Sequence, residues 1–198
     1  PNDPEVAKRL HADDQVLWDH PGTKAYETSI TTPDGKVHDA VYYKATFTHT
    51  DGSVAGLIGT IVDISERRQA EEALRIASSQ LQMLVQSSPL AIYTRDTNGM
   101  LTSWNPAAEK MYGWRASEVL GKPLPSVSDE ARPESDGLRM RLLAGEAVIK
   151  HAARRRRRDG SPIDIDAFLA PLRDVSGSVN GIIAVVADIT ERKQAEAA

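Results

Sequence analysis

The segment Asp63-Ile64-Ser65-Glu66-Arg67-Arg68-Gln69-Ala70-Glu71-Glu72-Ala73-Leu74 sets the architecture, because it returns 125 positions later as Asp188-Ile189-Thr190-Glu191-Arg192-Lys193-Gln194-Ala195-Glu196-Ala197-Ala198. Each copy closes a β-branched, apolar run, Leu57 to Ile64 and Ile182 to Ile189, and turns at once Ala/Glu/Arg-rich. That change of composition reads as a strand handing over to a helix. Ser65 and Thr190 stand where an N-cap hydroxyl accepts from a free amide of the first turn. Glu66 and Glu191 place negative charge at the positive end of the helix dipole. Two handovers at one offset make a repeat.

The register extends backwards without a gap. Residues 34–73 align with 159–198, and 17 of the 40 pairs are identical, among them Asp34-Gly35 with Asp159-Gly160 and Gly52-Ser53-Val54 with Gly177-Ser178-Val179. At this offset Pro1 matches Ser126, so the first copy lacks a counterpart of residues 89–125 and reads as the back half of a domain. A sheet so shortened is expected to leave an open edge and an uncovered face. Within 198 residues we therefore expect the C-terminal part of a first domain (1–65), an amphipathic linker helix (66–88), a complete second domain (89–190) and the start of another helix (191–198).

Composition is that of an ordinary globular protein, with 40% hydrophobic and 26% charged residues and net charge −4. The chain contains no cysteine, which excludes disulfides and thiolate metal sites and fits a reducing, cytoplasmic setting. No apolar run reaches the roughly 18 residues of a membrane span, though the parent protein can be anchored elsewhere. The chain begins at Pro1 rather than Met, as an excised fragment would.

Residues 4–14 read as a helix remnant. Ala25–Thr32, Val37–His49 and Val54–Ile64 read as strands joined by Asp34-Gly35 and Asp51-Gly52 turns, a hairpin signature that predicts an antiparallel meander. In the helix over 66–86, Ala70, Leu74, Ala77, Leu81 and Leu84 repeat at spacings of 4, 3, 4 and 3, a heptad seam too narrow for a fully packed core helix. We take it as a homodimer seam in preference to a stripe packed on its own domain. Next come strands Leu90–Arg95 and Met100–Trp104, then short helices Ala107–Tyr112, opened by Asn105-Pro106, and Ser117–Leu120. A polar loop leads to a longer helix that includes Arg139–Ala144. Strands Ala147–Arg157, Ile163–Asp174 and Val179–Ile189 then repeat the meander.

This order of elements carries Asn105-Pro106-Ala107-Ala108-Glu109 before Tyr112-Gly113-Trp114, Glu118-Val119-Leu120-Gly121-Lys122, Arg158-Asp159-Gly160-Ser161, Pro171-Leu172-Arg173-Asp174, and the doubled Asp-Ile-Ser/Thr-Glu-Arg tail. Together they resemble the PAS sensory domains with their C-terminal PAC portion, over residues 89–193 in full and 1–68 as a truncated copy. The resemblance implies an α+β fold: a five-stranded antiparallel sheet with short helices on one face around a small cavity. It also implies a sensor or dimerisation module in a signalling protein, whose output is most often a histidine kinase or a diguanylate cyclase.

Cysteinyl-flavin photochemistry, used by some relatives of this family, is excluded by the absence of cysteine. Haem-binding relatives use a histidine on the helix before the meander. The complete domain has none there, and His11 of the truncated copy reads more cheaply as a surface residue, so haem is discounted. The sequence requires no cofactor or metal. Tyr93, Trp104, Asn105, Met111, Tyr112 and His151 are pocket candidates, with plain core packing as the alternative for the aromatic residues and N-capping for Asn105. Of Arg154 to Arg158, at least two must point to the face that should be buried if the strand continues through them. Asp164 and Asp166 are available as cross-hairpin partners, and a solvated hairpin end is preferred to an anion site. Asp63 with Arg67, and Asp188 with Arg192, are candidates for a clasp across each strand–helix junction, and by resemblance for signal transmission. No Walker loop, HExxH, GxSxG, kinase box or cyclase signature is present, and no aromatic platform or recognition helix points to nucleic acid. The expectation is a non-catalytic sensory fragment that relays ligand or partner binding to a downstream output domain.

Overall fold

The computed structural model describes residue 11 and residues 14–196. The chain divides into two compact units, residues 1–78 and 79–198. Most of the helix expected over 4–14 lies outside the described residues; His11 is helical and exposed, and a helical stretch covers 14–19.

The first unit is a three-stranded antiparallel meander, β1 (Thr23–Thr31), β2 (Val37–Thr48) and β3 (Val54–Asp63), in the order β1-β2-β3. Among its described residues the buried apolar ones are few: Leu17, Ala40, Val41 and Ile64. Lys44 is buried beside them and pairs with Asp14, while Tyr26 and Tyr42 stack face to face at 5.5 Å. Tyr43, Phe47, Ile58, Ile61 and Val62 are exposed.

The long helix α1 (Ser65–Ser87) has no buried residue. All five seam residues, Ala70, Leu74, Ala77, Leu81 and Leu84, are exposed, and the division between the units falls inside the helix.

The second unit runs β4 (Ala91–Asp96), β5 (Leu101–Trp104), α2 (Pro106–Tyr112), α3 (Ala116–Val119), α4 (Arg132–Leu143), β6 (Ile149–Arg156), β7 (Pro162–Arg173), β8 (Val179–Asp188) and α5 (Thr190–Glu196). Its five strands are antiparallel in the order β5-β4-β8-β7-β6. Alternation along the strands turns Ala91 and Tyr93, Ile163, Ile165, Ala167 and Leu169, and Ile182, Ala184 and Val186 to one buried face. Leu138 and Leu142 of α4 and Ala108 and Tyr112 of α2 join the same core. The repeat shows what that cover does: Val186 is 0% exposed, and Ile61, its counterpart on β3, is 48% exposed.

Candidate functional site

The two strand–helix junctions are built from the same bonds. At the second, Asp188 Oδ1 accepts from the Thr190 amide (2.9 Å) and from its hydroxyl (2.6 Å). The hydroxyl in turn accepts from the Asp164 amide of β7 at 3.1 Å, and the Ile189 amide donates to the Asp164 carbonyl. At the first, Asp63 accepts from the Ser65 amide at 2.8 Å, the Ser65 hydroxyl accepts from the Asp39 amide of β2 at 2.9 Å, and the Ile64 amide donates to the Asp39 carbonyl. The caps therefore differ from expectation. Ile64 and Ile189 hold the cap position, since their carbonyls receive the first helical bonds from Arg68 and Lys193. The Ser65 and Thr190 hydroxyls serve the neighbouring strand instead of the first turn.

The expected Asp–Arg clasp is also corrected. Arg67 and Arg192 lie alongside Glu71 and Glu196 on their own helices, at 3.8 and 3.6 Å. Four residues beyond the strand end, the side chain already faces along the helix. One residue further on, it faces back to the sheet: Arg68 lies 3.5 Å from Asp39 and also pairs with Glu27, and Lys193 lies 3.2 Å from Asp164. Asp39 and Asp164, like Arg68 and Lys193, occupy matching positions of the repeat.

The aspartates that close each strand have different partners. Asp63 meets His38 Nδ1 at 2.7 Å, and Asp188 meets Arg157 at 2.8 Å. The Ser65 hydrogen bonds, with His38 adding to them, hold Asp63 below the usual aspartate range. Partial burial pushes Asp188 up, but its bonds from Thr190 and Arg157 outweigh this and lower it. Asp164 is lowered by Arg154 and Lys193.

The arginine run is distributed over several partners. Register pairs Arg154 with Asp164, and the two side chains meet at 3.1 Å; Asp166 instead pairs with Lys150 at 3.2 Å. Arg155 is buried, donates to the Arg154 carbonyl and lies 3.7 Å from Glu134. Arg156 is exposed. Arg157 joins Asp188 to the Met111 carbonyl at the end of α2, and Arg158 holds Glu118 of α3 at 2.8 Å. The strand ends at Arg156, so one inward arginine, Arg155, lies within β6, while Arg157 and Arg158 beyond it tie α2, α3 and the junction to the sheet.

Of the six pocket candidates, Tyr93, Trp104 and Tyr112 form a buried aromatic row with centroids 5.3 and 5.4 Å apart. Burial raises the Tyr93 and Tyr112 phenols. Trp104 donates to the Trp114 carbonyl. Met111 packs partly buried against the core. His151 is half-buried beside Arg155 (3.4 Å) and Glu134 (3.6 Å). Asn105 caps α2 through Ala108 N at 2.9 Å, as its position predicts. It also accepts from Ile92 N and donates to the carbonyls of Val85 and Leu90. Both acceptor positions and both donors are thus used, which removes it as a ligand contact and makes it the tie between the end of α1, β4 and α2.

None of the six lines the cleft of about 250 Å³ beside α4. Its walls are Arg95 of β4, the turn Asn98-Gly99-Met100, Pro123, Leu124 and Val127, and Arg132, Ser135, Asp136 and Arg139 of α4. Arg95 was legible in principle: Ala91, Tyr93 and Arg95 share the inward phase of β4. Among the described residues no His, Asp and Glu cluster is arranged to hold a metal ion, and no helix is long and apolar enough to cross a membrane.

A sequence model of the family described as "PAS fold" matches residues 85–194. The chain is 29% identical over 176 residues to a probable diguanylate cyclase, DgcE, of Escherichia coli, covering 85% of this chain and 15% of that protein. It is 32% identical over 132 residues to the C4-dicarboxylate transport sensor protein DctS of Rhodobacter capsulatus (65% and 20%), and 28% identical over 151 residues to the sensor protein FixL of Bradyrhizobium diazoefficiens (74% and 30%). The chain thus spans less than a third of the length of these relatives. Among solved structures, an RNA-binding light-oxygen-voltage receptor superposes with TM-score 0.53 at 16% identity, over 98% of this chain and 86% of that one. The PAS domain of a protein from Colwellia psychrerythraea gives 0.55 at 19%, over 59% and 99%.

Proposed function

Since this chain belongs to the PAS-fold family, we propose that it is a non-catalytic sensory and relay fragment: binding of a small ligand or a partner in the second unit biases the packing of sheet against helices, and the change passes through the strand–helix junctions into α1 and α5. The observation that carries this reading is the doubled junction, in which aspartate, hydroxyl and neighbouring-strand amide recur with the same connectivity in both copies. Arg157 extends the second junction to α2, so a shift of that helix has a direct route to Asp188. The output domain is taken to be a histidine kinase, on the cytoplasmic side, with the exposed heptad of α1 as a homodimer seam. A diguanylate cyclase or phosphodiesterase output is the second reading, supported by the similarity to a cyclase across 85% of this chain.

The test is made in the full-length parent, with kinase or cyclase activity as readout. Asp188→Asn and Arg157→Gln are expected to leave basal output measurable and to abolish its change on stimulation. An unaltered response in both variants would sink the relay. A third reading, a ligand-free dimerisation module, is favoured by the exposed seam. Native mass spectrometry under gentle and then denaturing conditions separates it: an apo dimer supports the module, and a small molecule released on unfolding supports the sensor.

A further inference from the structure

The cleft beside α4 has an unusual electrostatic make-up. Three arginines and a single carboxylate, Asp136, contribute to its walls. Arg95 is 5% exposed, and among the described residues its one side-chain hydrogen bond is a long 3.4 Å bond from Nη1 to the Ser135 hydroxyl. Its Nε has no hydrogen-bond partner among the described residues, and no carboxylate of theirs pairs with it. Arg139 stands at the rim and is better partnered. Its Nη groups reach the Thr97 carbonyl at 2.8 Å and Asp136 at 3.5 Å, and its Nε is buried without a hydrogen-bond partner among the described residues. Arg139 lies over the β4–β5 turn, where Gly99 takes φ 88° and its Cα side stands within contact distance of the Arg139 side chain, a Cβ there falling 3.4 Å from Cδ and Nε.

A buried guanidinium is expensive to desolvate and is ordinarily matched by an anion. The other inward arginine of this unit, Arg155, does have Glu134 within 3.7 Å. Arg95 has only a neutral hydroxyl, and it sits on a wall open to a cleft. A guanidinium fork matches the geometry of carboxylate and phosphate oxygens. The volume, about 250 Å³, lies below the roughly 300–1,000 Å³ of drug-sized pockets, which selects a small ligand. We propose that this cleft binds a small oxyanion, a carboxylate- or phosphate-bearing metabolite, with Arg95 as its charge partner and Arg139 at its rim. This deepens the sensory reading, on which it rests for its biological meaning, by naming the chemistry of the signal.

Isothermal titration calorimetry of the full chain with acetate, succinate and inorganic phosphate, each in low-chloride buffer, tests it. At least one probe is expected to bind saturably at one site, and the preferred probe separates carboxylate from phosphate as the source. Arg95→Gln and, independently, Arg139→Gln should weaken that binding at least about tenfold, while Arg154→Gln, outside the cleft, should leave it unchanged. Arg139 is the second variant should Arg95→Gln not fold. Absence of saturable binding by all three probes, or binding indifferent to both cleft arginines, overturns the proposal. Output of the parent protein is read separately. Binding without an output response supports the site and counts against the relay, and loss of the site in the calorimetry leaves the relay experiment standing.

Discussion

Asn105 spends its whole hydrogen-bonding capacity on backbone: two amides, Ile92 and Ala108, and two carbonyls, Val85 and Leu90. The Val85 carbonyl belongs to the last turn of α1, where helical carbonyls have no partner of their own. Asn105→Ala should therefore destabilise the second unit by roughly 2–4 kcal/mol in urea denaturation, because buried groups are left unsatisfied. Asn105→Asp keeps both acceptors but turns a buried carboxylate oxygen onto the Val85 and Leu90 carbonyls, so it should cost at least as much; a nearly neutral Asp variant would contradict the assignment of the amide donors. The closing aspartates make a pH prediction. Asp63 and Asp188 are both lowered in the folded chain, so their contribution is complete above the ordinary aspartate pKa and is lost as pH falls through the lowered folded value. Carboxyl-detected NMR titration should find Asp188 protonating below an ordinary aspartate, and Arg157→Gln should move it upward. An Asp188 titration unmoved by that substitution would show that Thr190 alone sets it. These partnerships were only half legible in the sequence. The repeat marked Asp63 and Asp188, but the partners, His38 and Arg157, are brought in by strand pairing and do not occupy matching positions of the two copies.

The strands were readable because period-two alternation and Asp-Gly turns agree, and α1 because its composition changes abruptly at the junction. For helix α4 the sequence marks Arg139–Ala144 as part of a longer helix but not its start, which the structure places at Arg132. Its first half offers Pro133, Ser135, Asp136 and Gly137, and the residues it buries are Ser135, Leu138 and Leu142, too few apolar positions to reveal the period. The cleft was missed for the same reason, since its α4 wall lies largely in that polar half. Two substitutions test elements directly. Gly113 closes α2 at φ 86°, where a Cβ would also approach Arg158 Cβ to 3.2 Å; Gly113→Ala should cost about 1–2 kcal/mol, measured by thermal denaturation, and an unchanged Tm would mean the turn relaxes freely. In α1, Leu74, Leu81 and Leu84 are all more than 60% exposed. A heptad seam needs a partner to bury such residues, so Leu81→Asp should shift sedimentation from dimer to monomer without loss of helicity. A wild-type chain that sediments as a monomer at high micromolar concentration would remove the seam.

The two copies share one sequence pattern and yet bury very different amounts of it. In the second unit the inward residues of β7 and β8 pack beneath α2 and α4 in a cluster that includes Trp104, Tyr112, Leu138 and Leu142. In the first, the buried apolar set among the described residues is Leu17, Ala40, Val41 and Ile64, and Ile58, Ile61 and Val62 of β3 remain exposed. The repeat led us to expect an uncovered face on the first sheet, but the extent of exposure depends on what covers a sheet, which strand periodicity does not encode. Apolar burial at roughly 25 cal/mol per Å² dominates the stability of such units, and local opening follows contact density. Hydrogen exchange of the full chain, followed by mass spectrometry, should therefore show β1–β3 amides opening before those of β7 and β8, with protection lower by at least about tenfold, or about 1.4 kcal/mol. Heating should give two calorimetric transitions, the first belonging to residues 1–78. Titration of the cleft anion should raise only the second, by the linkage between binding and folding. A single transition with uniform protection would mean that the first unit draws its stability from the second, and the two would then have to be treated as one cooperative body.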